Sequence, residues 1–522
     1  MFDLIIKNGK IIDGTGSPSY FSDVAVKDGK IVKIGKGLSD AAKTIDATGP
    51  CVVPGFIDSH SHSDHQVFSR PDMDVKAEQG ITVSIGGQCG GSDFPLSKTA
   101  KREEYKDYEE FGNEYDLKKD ADKYYDVIKK RRLGSRLVML TGHGTIRRAV
   151  MGVENRAPTP EELEKMKAIL RKCLSRGSLG LSFGLYYAPG SYASTEECVE
   201  MAKVVSEFGG VIAAHIRDEA EDFAKAAKEF ISIVRQAKVR GVMSHHKAAG
   251  SMENWGKVTH TLRMIDEANA EGLEVYCDVY PYVASSTSLA ATFLPNKELA
   301  RGNDALIKLL DDPAYRAEMH KWNEDFWGTD YSWVKVTSCE ALPQYKGLFV
   351  PEIAKMHGKD EIDTILDIMK ECRMDGNACY FTMCEEDLMT VLAHPRAMIG
   401  TDGSIPSPDA KSYHPRSRGT FPRVLGRYVR ERGVTTLPEM IRKMTSMPAR
   451  VYGLKTKGLI WENMDADICI FDENKIIDRA DFNDCHARAE GLSYVIINGE
   501  VVAENAVYNG KREAKVILFE DR

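Results

Sequence analysis

Residues 54–65 read PGFIDSHSHSDH, and the rest of the chain is read outward from them. Phe56 and Ile57 are apolar strand material, and the run ends in His60 and His62, two positions apart and so on one face of an extended strand. Two imidazoles on one face converge on one point, and neutral imidazole is a ligand for zinc-like metals. With 13 His among 522 residues, an HxH pair arises by chance roughly 0.3 times in such a chain. The pair therefore marks a centre only if distant residues join it.

The middle of the chain supplies them. Thr159-Pro160-Glu161-Glu162 is a capping box with proline at the first helical position, and Leu163, Met166, Leu170, Cys173 and Leu174 follow on one helical face. Gly177 ends that helix and a strand over 180–185 follows. The unit repeats. A second capping box at Ser194–Glu197 opens a helix to Gly209-Gly210 and a strand at 211–214, ending at His215. A third helix over 223–237 leads to a strand at 242–244 ending at His245, and a fourth over 262–270 leads to a strand at 273–279 ending at Tyr280-Pro281-Tyr282. Helix-strand alternation means a parallel sheet, and about 400 residues of it favours an α/β fold of the (β/α)8, TIM-like barrel type over an open sheet.

The two ends of the chain follow a different grammar. Strands 4–6 and 11–12 flank Asn8-Gly9, strands 24–26 and 31–34 flank Asp28-Gly29, and strands 495–497 and 501–502 flank Asn498-Gly499, each reading as a hairpin. A further strand is expected over 466–471. Isolated hairpins are marginal, so both termini are expected to pack together as a small β-sandwich domain. The expected division is 1–54 and 456–522 for that domain and 55–455 for the barrel. An aromatic-bearing break in the barrel rhythm at about 285–347, with Trp322, Phe326, Trp327 and Trp333, is read as an inserted lid or subdomain.

Composition narrows the function. A formal charge of −8 with no Lys/Arg-rich run implies neither nucleic acid nor an anionic membrane as partner, leaving a small-molecule substrate, and nothing sets the oligomeric state. Asp3 and the Asn8-Gly9 turn are unlike a secretory leader, and no apolar run has membrane-spanning length. The eleven cysteines lack any CxxC pair and suit a reducing compartment better than a disulfide framework, so a cytoplasmic location is expected.

The expected strand ends collect the chemistry: His60, His62, Cys89 after a strand at 81–85, His215, His245, and Asp402 in AMIGTDGS. Imidazole, thiolate and carboxylate are the donors that hold zinc, and sites with few protein ligands leave room for water. Singly, each has a bland explanation as a core histidine, a buried thiol or a turn aspartate. Together, at the ends of parallel strands, they read as a metal centre.

PGFIDSHSHSD, GGQCGGS, GLYYAPGSYASTEE, AAHIRDE, SHHKAAG, DVYPY, IGTDGS and HPRSRGTFPRVLGRYVRE, in this order and continued by VIINGEVV, resemble the N-acyl-D-amino-acid deacylases of the amidohydrolase superfamily over nearly the whole chain. The resemblance implies zinc-dependent release of a D-amino acid and a carboxylate from an N-acyl-D-amino acid. Carried over by position, it makes Cys89, His215 and His245 ligands of one firmly bound Zn2+, His60 and His62 a second, weaker position, and Asp402 the catalytic acid/base. It also places substrate-binding groups at Lys247 and Tyr282. Ser61 and Gln88 depart from the family's commoner Thr and Asn without removing a ligand. Within the enzyme class the alternatives are a dipeptidase for peptides with a C-terminal D-residue and a cyclic-amide hydrolase. A non-catalytic scaffold would be free to lose the ligand set, which this chain keeps. His143, in TGHGT, and Arg217 are secondary candidates for the border of the site, while His65 and His246 are expected to face away by strand alternation.

Overall fold

The computed structural model of the protein describes residues 1–95 and 121–518. Strands from both ends of the chain form one nine-stranded sheet, in the order Val507–Tyr508, Glu500–Glu504, Leu492–Ile497, Ile468–Phe471, Cys51–Pro54, Phe2–Ile11, Tyr20–Lys27, Lys30–Gly35, with Ala41–Asp46 also paired to Phe2–Ile11. The halves join where Ile468–Phe471 runs antiparallel to Cys51–Pro54. Val24, Val26 and Ile31 from one end of the sheet share a buried cluster with Ile496 and Val501 from the other. The sandwich expected from two packed groups is thus one continuous sheet curled over a common core.

Asp28-Gly29 and Asn498-Gly499 do turn hairpins, pairing Lys27 with Lys30 and Ile497 with Glu500. Asn8-Gly9 does not. Phe2–Ile11 runs through it as a single strand with a bulge between Ile6 and Gly9, Asn8 taking φ 60°. A Cβ on Gly9 would lie 2.5 Å from Val52 Cγ2, so the glycine serves a close backbone approach there.

Asp467 anchors this sheet to the rest of the molecule. Its side chain, 6% exposed, accepts from Arg136 Nε at 3.1 Å, Lys457 Nζ at 2.6 Å and the Asn498 amide at 2.9 Å, while its carbonyl accepts from the Gly55 amide at 2.8 Å. Burial alone would raise its pKa, but Arg136 and Lys457 overcome that and hold the carboxyl well below the usual range. A depressed folded pKa contributes stability above the unfolded value of ~3.9 and withdraws it as the pH falls toward the folded value. Asp467→Asn, which removes the carboxylate that Arg136 and Lys457 share but leaves Lys457 its second partner Asp465 at 2.5 Å, should cost ~1.5–3 kcal/mol at pH 7, the range for hydrogen bonds to charged groups. Urea denaturation at pH 7 and at pH 3 checks both points: the gap between wild type and variant should narrow at the lower pH, and an equal gap would refute the ion-pair account.

The remaining chain alternates helices with parallel strands. Phe56–Asp58, Ile81–Gly86 and Arg136–Met139 form one parallel sheet. Thr141–Gly142, Gly180–Gly184, Val211–His215, Arg240–Met243, Val275–Val279 and Ala397–Ile399 form another. Hydrogen bonds join them at both ends: Leu179 N to Met139 O at 2.8 Å on one side, Ser59 N to Ile399 O at 3.2 Å and a parallel bridge between Ser61 and Gly403 on the other.

Helices Pro160–Arg176, Thr195–Glu207, Phe223–Ala237 and Lys257–Ala270 cover the second sheet with apolar faces. The capping box at Thr159 and Glu162 forms in both directions. The one expected at Ser194 forms by half: Ser194 accepts from the Glu197 amide, but the Glu197 carboxylate turns inward to His143 and Arg147.

The insertion has its own architecture. Ser285–Ser288, Asn377–Tyr380 and Val334–Ser338 make a three-stranded antiparallel sheet with a separate core including Phe293, Met319, Val336, Ile365 and Met369, so this unit continues to Tyr380, past residue 347. Within it Cys339 and Cys372 form a disulfide, a pairing that the expectation of unpaired cysteines did not contain; the other nine cysteines are free. Among the described residues no helix is long and apolar enough to cross a membrane.

Candidate active site

The strand ends of the parallel sheets open into a cavity of about 360 Å³, closed on the far side by the insertion. His62, Cys89, His215, His245, Lys247 and Asp402 line one wall, and Phe326, Trp327, Trp333 and Tyr380 line the other. Three residues of the chemical wall have left-handed backbone: Cys89 (φ 52°), His245 (φ 36°) and Asp402 (φ 48°). Non-glycine residues are costly there and persist where the surroundings over-determine them. Gly87 and Gly90 complete the loop around Cys89, because a Cβ on Gly87 would lie 2.0 Å from Leu140 O and one on Gly90 2.5 Å from Gly184 N.

Cys89 sits at the centre. Its Sγ is 3.4 Å from His60 Nε2 and 3.3 Å from His245 Nε2. Asp402 Oδ1 is 3.4 Å from His60 Nε2 and 3.1 Å from His62 Nε2. Two donor sets result, His60, His62, Cys89, Asp402 and Cys89, His215, His245, each with its ligand atoms within 4.8 Å of one another and Cys89 common to both. Ligand atoms on one tetrahedral zinc, at bond lengths of ~2.0–2.3 Å, stand ~3.3–3.8 Å apart. The spacings around Cys89 match, and the donors are the sulfur, imidazole and carboxylate that such an ion takes.

Groups behind these donors orient them. His60 turns Nδ1 to Asp278 at 3.2 Å, leaving Nε2 for the centre, and Asp278 also accepts from the His245 amide at 2.6 Å. Glu219 lies 2.9 Å from His245 Nδ1 and 2.6 Å from Lys247 Nζ. Below the floor, buried Lys76 donates to Asp58 at 2.8 Å and Thr401 at 2.9 Å, and Asp58 accepts from the Thr401 amide next to Asp402. Arg416 Nη1 donates to Asp402 Oδ2 at 2.6 Å, its guanidinium 4.7 Å from the Tyr280 ring centre.

The electrostatics follow. Burial opposes ionisation of Cys89, but His60 and His245 outweigh it and hold the thiol well below its ordinary range. Burial also opposes the Asp402 carboxylate, and Arg416, His245 and His60 overcome it, so its pKa is well below the usual value. Burial and Lys247 push the His245 imidazole down, yet Glu219, Cys89 and Asp402 lift it to about 9.

Six residues expected at strand ends, His60, His62, Cys89, His215, His245 and Asp402, are thus in one place. Lys247 is on the cavity wall, its ammonium paired with Glu219. Tyr282 is not on that wall. The Tyr282 amide donates to the Tyr280 carbonyl at 3.0 Å through a tight turn at Pro281, which breaks the strand alternation. Tyr282 is thereby sent to Pro415, His414 and Phe482, and Tyr280 reaches the cavity instead.

His143 is held by Glu197 at 2.9 Å, off the cavity wall, and Arg217 pairs with Glu229 and the Ser191 and Ala193 carbonyls. His65 faces Asp93 at 2.7 Å, and His246 faces Thr261 at 2.8 Å. Glu219, Asp278 and Arg416 were missed as site residues. Glu219 carried a signal, standing four residues after His215 in HIRDE. Asp278 and Arg416 had none beyond lying in quoted segments.

A model of the "Amidohydrolase family" matches residues 43–503. A D-aminoacylase of Alcaligenes xylosoxydans xylosoxydans is 34% identical over 518 residues, covering 99% of this chain and 97% of that protein. An N-acyl-D-glutamate deacylase of the same organism is 32% identical over 508 residues, covering 97% and 94%. Among solved structures, the N-acyl-D-glutamate deacylase of Bordetella bronchiseptica, complexed with zinc and a phosphonate inhibitor that mimics the tetrahedral intermediate of its reaction, superimposes with a TM-score of 0.83 at 32% identity, covering 99% of both chains.

Proposed function

Since the chain belongs to the amidohydrolase family, we propose that it is a zinc-dependent deacylase that cleaves N-acyl-D-amino acids to a D-amino acid and a carboxylate. The observation that carries this reading is the convergence of two donor sets on Cys89, with Asp402 against both His60 and His62 on the wall of a cavity that the insertion lines on its other side. The parallel strands and the hydrogen bonds between their outer edges support a closed (β/α)8 barrel over 55–455, interrupted by the insertion, with 1–54 and 456–522 as the small β domain. A cytoplasmic location belongs to the same reading: against the single Cys339–Cys372 pairing stand eight buried, unpaired cysteines and a Cys89 that must stay reduced.

Cys89, His215 and His245 would hold the firmly bound zinc, and His60 and His62 a second, weaker position that shares Cys89, with Asp402 beside it as the acid/base. When bound, zinc polarises the scissile carbonyl and makes water a nucleophile near neutral pH. Arg416 keeps Asp402 ionised, the form that accepts the proton of the attacking water. As the tetrahedral carbon collapses, Asp402 returns that proton to the departing amine nitrogen. Glu219 fixes His245 and Lys247 together, so that the Lys247 ammonium is held on the wall to meet the substrate's α-carboxylate. The aromatic wall of the insertion excludes water on the other side.

With the amide and the α-carboxylate both located, the α-carbon leaves one direction for its side chain, which sets the stereochemistry. N-acetyl-D-amino acids should exceed their L-enantiomers in kcat/KM by at least about a hundredfold, in the range one misdirected group can impose. Matched D and L pairs of N-acetylleucine and N-acetylphenylalanine test this. Equal rates on the two enantiomers would remove the D-deacylase reading.

A further inference from the structure

The cavity holds a carboxylate that the reaction does not use. Among the described residues, its lining lysine and arginine are each engaged, Lys247 with Glu219 at 2.6 Å and Arg416 with Asp402 at 2.6 Å. Asp218 lines the same cavity, half-buried, and no side-chain cation pairs with it among the described residues. Its Oδ1 accepts the backbone amides of Ala220 at 2.7 Å and Asp222 at 3.0 Å, which fixes the carboxylate in place and leaves Oδ2 for a ligand. Tyr186 lines the same cavity, its phenol pKa pushed up by burial and by the charges of Glu219 and Asp218. A fixed carboxylate on a partly desolvated wall that also carries an aromatic ring is a seat for an ammonium.

Building on the deacylase reading, we infer that Asp218 selects substrates that carry an ammonium group in addition to the amide and the α-carboxylate. Two chemistries supply one: a basic side chain on the D-residue, or a free amine on the acyl part, as in a dipeptide. An acidic D-side chain meets the Asp218 charge there, and among the described residues the lining lysine and arginine are already engaged, Lys247 with Glu219 and the α-carboxylate and Arg416 with Asp402.

The test compares kcat/KM of the zinc-loaded enzyme on N-acetyl-D-lysine, glycyl-D-leucine, N-acetyl-D-leucine and N-acetyl-D-glutamate, in wild type and in Asp218→Asn. The asparagine keeps the Oδ1 that caps the turn, so the loop is retained, and circular dichroism checks it. At least one ammonium substrate should exceed N-acetyl-D-leucine by about tenfold, the ratio of one partly buried charge pair, and the variant should erase that ratio through KM. A side-chain preference shows in N-acetyl-D-lysine and an acyl-side preference in glycyl-D-leucine. Hydrolysis of N-acetyl-D-leucine at or above the rate of both, or an unchanged ratio in Asp218→Asn, would overturn the inference. No hydrolysis of any of the four would instead bring down the deacylase reading beneath it.

Discussion

Asp402→Asn should lower kcat by ~10²–10⁴-fold, the usual contribution of general acid–base catalysis, with zinc content near that of the wild type. The amide keeps the shape of the carboxylate and one oxygen beside His60 and His62. It has no capacity to take the water proton or to deliver one to the leaving amine. Arg416 loses an ion pair but keeps its bond to the Ser286 carbonyl at 3.3 Å and its place against Tyr280, so the wall stays ordered. In the proposed mechanism the protonation of Asp402 switches the base off, so the acid limb of the pH–rate profile should disappear with it. Metal analysis and a pH–rate series on the purified variant decide the matter. Loss of zinc would make Asp402 chiefly a ligand, and near-normal turnover would move the proton transfer elsewhere on the wall, with Glu219 the first residue to replace.

Cys89→Ala should have a larger effect, because Cys89 is the one residue common to both donor sets. Removing even an outer partner of a metal ligand costs ~10–100-fold in affinity or activity, so removing the shared ligand should exceed that and leave activity near background. Zinc content should fall for both positions together, whereas His62→Ala should lower it for one alone. The fold should survive, since most of its stability lies in the large apolar cores rather than in the metal loop. Alanine also inherits the left-handed backbone at no more cost than cysteine, both carrying a Cβ. Elemental analysis with a melting curve separates the outcomes. Full zinc occupancy in Cys89→Ala would return Cys89 to the status of a packing residue.

What was legible in the sequence was what neighbours along the chain decide. The spacing of His60 and His62 pointed both at one centre, and both do join one donor set, although the strand itself ends at Asp58 and the two histidines lie in the segment just beyond it. Thr159 and Glu162 cap one another over three residues, and Asp28-Gly29 and Asn498-Gly499 turn because those residue types accept positive φ. Recurrence of helix and strand brought His215, His245 and Asp402 to strand ends before any contact was known. Local rules failed where a distant partner outbid them. Asn8-Gly9 bulges because Val52, on a strand more than 40 residues away, crowds it, and Glu197 abandons its cap for His143 and Arg147. Tyr282 left the cavity because a single turn at Pro281 undid the alternation that would have kept it beside Tyr280. Cys339 and Cys372 meet across 33 residues with no spacing motif to announce them. Arg416 against Asp402, Asp278 behind His60 and Glu219 between His245 and Lys247 are the groups that set charge and orientation in the site. Only the tertiary structure decided them, because charge interaction depends on distance in space and burial, and neither is encoded in the spacing of residues along the chain.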